Sequence, residues 1–364
     1  MHPAVDVEGP IQAEDGRLLG VEYITDGPHI YYLDREFESE MVGVSKALGN
    51  ASVRSTSRSV DGNRKIVVTS SDVDGGHYYL LDKKQQRLDL LGAAYPELAP
   101  ATLPRMRPID YPARDGTRVP GYLTVPLGQR AEHLPLNVVP HGGPIARDYL
   151  EFDFLRLFLA SRGYAVLQMN FRGSSGYGDA WFRAAHQDWG GLTYGDVGDA
   201  ARWAVVSGLA DPARLCIVGW SFGGYAALMG AVRDSGLFRC AASIAGVSDL
   251  TQLEVEGRMF TNSAIDKEQI GTDRNKLREG SPVRHARDVT IPVLLVHGTH
   301  DAQVYVGQSK EMASALKSAG KPHELVLLKG ESHQISGEAE RATLLETLER
   351  FLKTNLGPGV TPPT

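Results

Sequence analysis

The residues best suited to chemistry are a serine set between glycines, Gly219-Trp220-Ser221-Phe222-Gly223-Gly224. An apolar run, Leu215 to Val218, precedes it, and a helix-forming run, Tyr225-Ala226-Ala227-Leu228-Met229, follows. A strand, a sharp turn and a helix in that order form a nucleophile elbow, which lifts a serine hydroxyl above a sheet edge. Glycine at 219 and 223 removes side chains from a turn too tight to hold them. The helix N-terminus beside the serine favours developing negative charge. Ser221 is therefore the candidate nucleophile.

A serine hydroxyl needs a base, and the base needs a carboxylate to orient it. In the fold that carries this elbow the chain order is serine, acid, histidine. Downstream of Ser221 lie His285, His297, His300, His323 and His333. His333 follows the apolar run Leu325 to Leu328 in a polar loop, Lys329-Gly330-Glu331-Ser332-His333-Gln334, from which an imidazole can swing over a sheet edge. His323 begins a strand, His285 sits in a charged segment, and His297 ends an apolar strand, so these read as structural or surface residues. Asp301 lies just beyond the run Val293 to Val296, on a loop at the sheet's carboxyl edge, and is the candidate acid. Asp249, which also follows a strand, is its rival.

A tetrahedral intermediate needs two hydrogen-bond donors for its oxyanion. The backbone N–H of Phe222, directly after the nucleophile, is one candidate. Gly143, within His141-Gly142-Gly143-Pro144 after the strand-like run 136–140, is the other.

These residues must be held by elements, and the chain changes character near residue 106. Before it, short strand-like runs at 65–69, 77–81 and 87–91 alternate with turn signals, with one candidate helix over 36–48. Such spacing resembles blades of a β-propeller, which take about 40–50 residues each. Residues 1–91 hold two blades at most, and 92–107, rich in Pro and Ala, read as a linker. Beyond it, strands are expected at 118–125, 136–140, 164–170, 214–219, 240–245, 292–297 and 323–328. Helices are expected at 150–161, 194–207, 222–233, 305–319 and 338–354. This alternation predicts an α/β-hydrolase fold, a mostly parallel sheet covered by helices on both faces. The division expected is a β-rich partial-propeller segment over 1–105 and an α/β catalytic domain over 106–364. The stretch 250–290 breaks the rhythm and suits a cap or a pocket wall.

A net charge of −6 over 364 residues gives no footprint for nucleic acid or an anionic membrane surface. No apolar run approaches the roughly 18 residues of a bilayer span, and the N-terminus lacks the basic start of a secretory signal. A cytoplasmic location is expected. The two cysteines, Cys216 and Cys240, sit in apolar runs and read as separate buried thiols that build neither a disulfide framework nor a metal site. No metal or organic cofactor is implied.

Five ordered motifs resemble the prolyl oligopeptidase family: HGGP at 141–144, NFRGSSGYG at 170–178, GWSFGGY at 219–225, HGTHDAQV at 297–304 and ESHQI at 331–335. The likeness is greatest to its acylaminoacyl-peptidase and dipeptidyl-peptidase-like branches and covers residues 106–356. Family members carry a propeller ahead of the hydrolase domain that restricts access to short peptides, and residues 20–91 resemble only its last part. The resemblance implies a substrate pocket formed by Phe222, Val247, Leu250, Leu253 and Val304, all apolar, for an uncharged side chain or acyl group. Arg172 is either a substrate contact or an ion-pair former. The expected activity is hydrolysis of small peptides, with a carboxylesterase acting on short acyl esters as the alternative. A non-catalytic remnant is a third reading, against which the full set of catalytic side chains argues. Exposed blade edges would allow a homo-oligomer.

Overall fold

A computed structural model describes residues 5–258 and 263–361 of the chain. They form two compact units: one of residues 5–106, 149–157 and 176–178, the other of 107–148, 158–175, 179–258 and 263–361.

The smaller unit holds two antiparallel sheets. β1 (Val7–Gln12), β2 (Leu18–Ile24) and β3 (Pro28–Tyr32) form the first. β4 (Val53–Arg58), β5 (Arg64–Ser71), β6 (Asp74–Asp82) and β7 (Arg87–Ala93) form a four-stranded meander, the content of one propeller blade. Between the sheets runs α1 (Arg35–Ala47), capped by the Asp34 carboxylate, which accepts from the Phe37 N–H at 2.8 Å. Its buried Phe37, Met41 and Val44 recur at helical spacing, and Phe37 and Met41 pack with Leu19 of β2. β1, β3 and β4 escape sequence reading because their burial alternates weakly and they carry few apolar residues, and β2 because its apolar residues do not alternate.

The Pro/Ala-rich stretch 92–107 is not a free linker. The Tyr95 ring packs on Phe152 at 4.6 Å, Pro100–Thr102 makes a 3-10 turn, and Met106 already opens a strand. The buried Asp72 carboxylate fixes its end, accepting from Arg105 Nη1 at 3.0 Å and the Met106 N–H at 2.8 Å.

The larger unit is built on an eight-stranded sheet. Its strands are β8 (Met106–Pro112), β9 (Arg118–Thr124), β10 (Leu134–Val138), β11 (Ala165–Met169), β12 (Ala210–Trp220), β13 (Cys240–Ile244), β14 (Val293–Gly298) and β15 (His323–Leu328). The order is β15-β14-β13-β12-β10-β11-β9-β8, parallel from β11 through β15, with β9 antiparallel to β11. Beyond α1 the described helices are α2 (Phe154–Ser161), whose first half belongs to the smaller unit, then α3 (Asp179–Arg183), α4 (Tyr194–Val206), α5 (Phe222–Arg233), α6 (Leu250–Gly257), α7 (Ser263–Ile270), α8 (Arg274–Glu279), α9 (Gly307–Ser318) and α10 (Glu338–Leu356). Every residue of β10, β11, β13 and β14 is buried. Successive strand side chains point to opposite faces, so both faces of the sheet centre are covered. No described helix is long and apolar enough to cross a membrane.

The two cysteines correct the sequence expectation. Cys216 and Cys240 are register partners on β12 and β13, with Cα atoms 4.8 Å apart, and they are joined as a disulfide. Their apolar neighbours disclose burial, but only strand register discloses that they stand side by side.

Leu295, in the middle of β14, is wholly buried within the main core. Leu295→Ala is expected to lower unfolding free energy by about 2–5 kcal/mol in urea titration. A loss below about 1 kcal/mol would mean that the sheet centre collapses around the deletion.

Candidate active site

The elbow is set by backbone contact. A Cβ at position 219 would stand 2.1 Å from the Gly223 carbonyl oxygen, and one at 223 would stand 2.2 Å from the Pro140 carbonyl oxygen. No side chain fits either point, so β12 can turn into α5 this tightly only with glycine at both. Between them Ser221 adopts φ 58° and ψ −119°, a conformation costly for any residue with a Cβ. The Ser221 N–H donates to the Ile244 carbonyl at 2.9 Å, which ties the turn to β13. Phe222 is the first residue of α5, so its N–H has no acceptor within the helix.

The HGGP loop follows β10 in the adjacent register. Gly143 has φ 116°, and a Cβ there would lie 2.6 Å from the Ile145 nitrogen. His141 anchors the loop: its ring stacks on Phe171 with centroids 4.2 Å apart. Nε2 lies 2.9 Å from Ser174 Oγ and Nδ1 2.7 Å from the Gly142 carbonyl.

His333 and Asp301 meet on the loops after β15 and β14, with His333 Nδ1 2.7 Å from Asp301 Oδ2. A proton on Nδ1 donates to the carboxylate and leaves Nε2 free to accept. Burial pushes the Asp301 carboxyl toward the neutral form, but hydrogen bonds from His297, His333 and the Val304 N–H outweigh it and hold the group well below the usual carboxylate range. The two loops are laced together: the His300 N–H donates to the Glu331 carbonyl at 2.8 Å, and the Gly330 N–H to Thr299 Oγ1 at 2.9 Å.

Two positioning residues escape sequence reading. Trp220 Nε1 donates to the His333 carbonyl at 2.9 Å, joining the elbow to the histidine loop. His297 is buried with Nε2 2.8 Å from the Val304 carbonyl and 3.2 Å from Asp301 Oδ2, while Nδ1 faces Ser309 Oγ at 2.7 Å. Two acceptors at Nε2 require its proton there, so the Ser309 hydroxyl donates to Nδ1. No local pattern signals either role, because both partners are far off or across a loop.

The rival acid is otherwise engaged. Asp249 caps α6 through the Thr251 and Gln252 N–H groups and pairs with Arg284 at 2.7 Å. Arg172 is an ion-pair former: its Nε donates to Asp196 Oδ2 at 2.9 Å, and its other nitrogens reach Asp196, Asp115 and Thr117.

Ser221, Phe222, Gly143, Val247, Leu253 and Val304 border one cavity of about 380 Å³. Leu250 does not. It borders a neighbouring hollow beside Trp189, Arg233 and Leu277, one turn nearer the start of α6 than Leu253. The wall is also less apolar than expected, since Glu256, Gln269 and Gln303 share it. Glu256 stands three residues after Leu253 in α6 and so shares its helix face. The stretch 250–290 thus supplies a wall of the cavity through Leu253, Glu256, Gly257, Gln269 and Ile270.

A serine at a strand–turn–helix elbow, over a mostly parallel sheet covered on both faces, defines an α/β-hydrolase fold. More narrowly, the chain belongs to the prolyl oligopeptidase family, whose match spans residues 150–359. It is 31% identical to the dipeptidyl aminopeptidase BIII of Pseudoxanthomonas mexicana, an alignment covering 86% of this chain and 47% of that protein. It is 30% identical to the uncharacterized peptidase YuxL of Bacillus subtilis, covering 90% and 50%. A solved Mycobacterium tuberculosis puromycin-hydrolyzing peptidase superposes with a TM-score of 0.77 at 28% identity, over 96% of this chain and 53% of the other. The chain spans about half the length of the curated relatives it matches.

The loop beside Gly143 carries a pH dependence. Burial pulls the His141 imidazole down to about 4, against the Gly142 carbonyl and with help from the Arg147 charge. In the unfolded chain the imidazole takes its proton near 6.5. Between these values the unfolded state binds more protons, so stability falls as pH drops from about 6.5 to about 4. Urea midpoints at pH 7 and pH 4.5 are expected to fall less in His141→Gln than in the parent. An equal fall in both would put the acid sensitivity elsewhere.

Proposed function

We propose that this chain is a serine peptidase that cleaves acyl bonds of small peptides through an acyl-enzyme on Ser221. The observation that carries this reading is the cavity bordered by Ser221, Phe222 and Gly143 together with the buried Asp301–His333 hydrogen bond on the adjoining loops. Ser221 Oγ attacks the substrate carbonyl carbon while His333 Nε2 takes its proton. The carbonyl oxygen becomes an oxyanion that accepts from the Phe222 and Gly143 N–H groups. As the C–N bond breaks, His333 returns the proton to the leaving amine, and Asp301 stabilises the transient imidazolium. Water then attacks the acyl-enzyme, with His333 again taking a proton, and the acid product leaves with Ser221 restored. Val247, Leu253, Val304 and the Phe222 ring offer apolar contact to the substrate residue that supplies the scissile carbonyl.

A carboxylesterase would use the same steps up to the acyl-enzyme, since esters and amides differ only in the leaving group. The relatives named above are peptidases, which supports the peptide side of the choice.

The test is kcat/KM on blocked aminoacyl anilides, dipeptidyl anilides and p-nitrophenyl butyrate. Anilide turnover is expected in the parent, falling by about 10³-fold or more in Ser221→Ala and by about 10³–10⁴-fold in Asp301→Asn. Turnover of the ester alone would favour the esterase, and full activity in Ser221→Ala would overturn the mechanism.

A further inference from the structure

The acid in the cavity wall has a consequence for substrate choice, one that rests on the function just proposed. Glu256 is partly buried and held by neutral amides. Gln252 Nε2 donates to its Oε1 at 2.8 Å, and the Gln308 amide adds a second hydrogen bond. Gln308 is itself oriented, because its Oε1 accepts from the Ser248 and Asp249 N–H groups at 2.8 and 2.7 Å. That leaves its NH₂ to donate, to the Asp249 carbonyl at 3.2 Å and to Glu256. Glu256, its carboxyl fixed by these amides, borders the same cavity as Leu253, Val247 and Val304.

Among the described residues, none of the strongest influences on it is a cation. Burial pushes its carboxyl up, the Gln308 and Gln252 amides oppose that, and the negative charges of Glu311 and Asp249 push it up further. A carboxyl kept in a cavity among other acids is stabilised in its charged form by a cation that enters with the ligand. Arginine and lysine side chains match the wall: an apolar stem lies along valine and leucine, and a charged head reaches an acceptor.

We propose that Glu256 is a specificity-determining residue, and that the peptide residue supplying the scissile carbonyl carries a cationic side chain. Val247, Leu253 and Val304 contact its methylene stem. Glu256 takes the ammonium or guanidinium, with the side-chain carbonyls of Gln269 and Gln303 as further acceptors on the cavity wall.

Lysine and norleucine share a four-carbon stem and differ in the charge, so the ratio of kcat/KM for their blocked anilides isolates the head group. The parent is expected to prefer lysine over norleucine by tenfold or more, and Glu256→Gln to reduce that ratio at least tenfold. A ratio near one in the parent, or one that Glu256→Gln leaves intact, would overturn the proposal. So would a Glu256-dependent preference for unblocked anilides regardless of side chain, which would make the substrate's α-amine the recognised cation. A second readout needs no turnover: p-aminobenzamidine fluorescence on the full chain is expected to report binding that survives Ser221→Ala and weakens at least tenfold in Glu256→Gln. Binding of this kind in a chain that cleaves nothing would sink the peptidase reading and keep the cation site. Turnover with no Glu256-dependent binding would do the reverse.

Discussion

Backbone packed on backbone at the turn between β12 and α5 sets the terms for everything around Ser221. The α-carbon of Gly219 faces the carbonyl of Gly223, and that of Gly223 faces the carbonyl of Pro140, with no space for a methyl group at either. This closeness forces Ser221 into φ 58°, and β13 holds it there through the Ile244 carbonyl. The same turn starts α5 directly after the serine, so the Phe222 N–H, unclaimed by the helix, belongs to the residue next to the hydroxyl. Because Gly223 also touches the end of β10, the HGGP loop that starts there lies beside the elbow.

Around this turn short-range ties add to the packing that holds the other groups. Trp220 reaches from the elbow to the His333 carbonyl, and the loops after β14 and β15 exchange hydrogen bonds through His300, Thr299 and Gly330. Asp301 collects donors from His297, His333 and Val304, which together overcome the cost of burying its charge. The disulfide between Cys216 and Cys240 links β12 to β13, the two strands that carry the serine and its backbone acceptor. The loop ties converge on the carboxyl ends of parallel strands, where open α/β sheets bind their ligands, while the disulfide fastens the opposite end of β13.

Much of this was legible in the sequence, for physical reasons that vary with the element. Strands β10, β11, β13 and β14 are buried on both faces, so each is a mainly apolar run that stands out from its flanks. Asp301 and His333 could be paired because loops that follow apolar strands at one sheet edge must converge, and the structure joins them at 2.7 Å. Registers and side-chain directions were not legible. The cysteine pairing depends on the alignment of two strands, and Leu250 borders a different hollow from Leu253 although the two stand one turn apart on the same helix. Glu256 was overlooked because a charged residue in a mixed polar stretch normally faces solvent. Its place in the cavity follows from sharing a face with Leu253. In the weakly patterned strands β1, β3 and β4 burial alternates too little for periodicity to show, and the apolar residues of β2 follow no period-two alternation.

The central claim is that the strained serine of the elbow is the reacting group, and covalent capture examines it most directly. The full chain would be treated with a fluorophosphonate, weighed intact by mass spectrometry and mapped by proteolysis. One adduct per chain is expected, on the peptide containing Ser221, with no adduct after prior unfolding in urea. Modification at another serine, or no modification of the folded chain, would contradict the account.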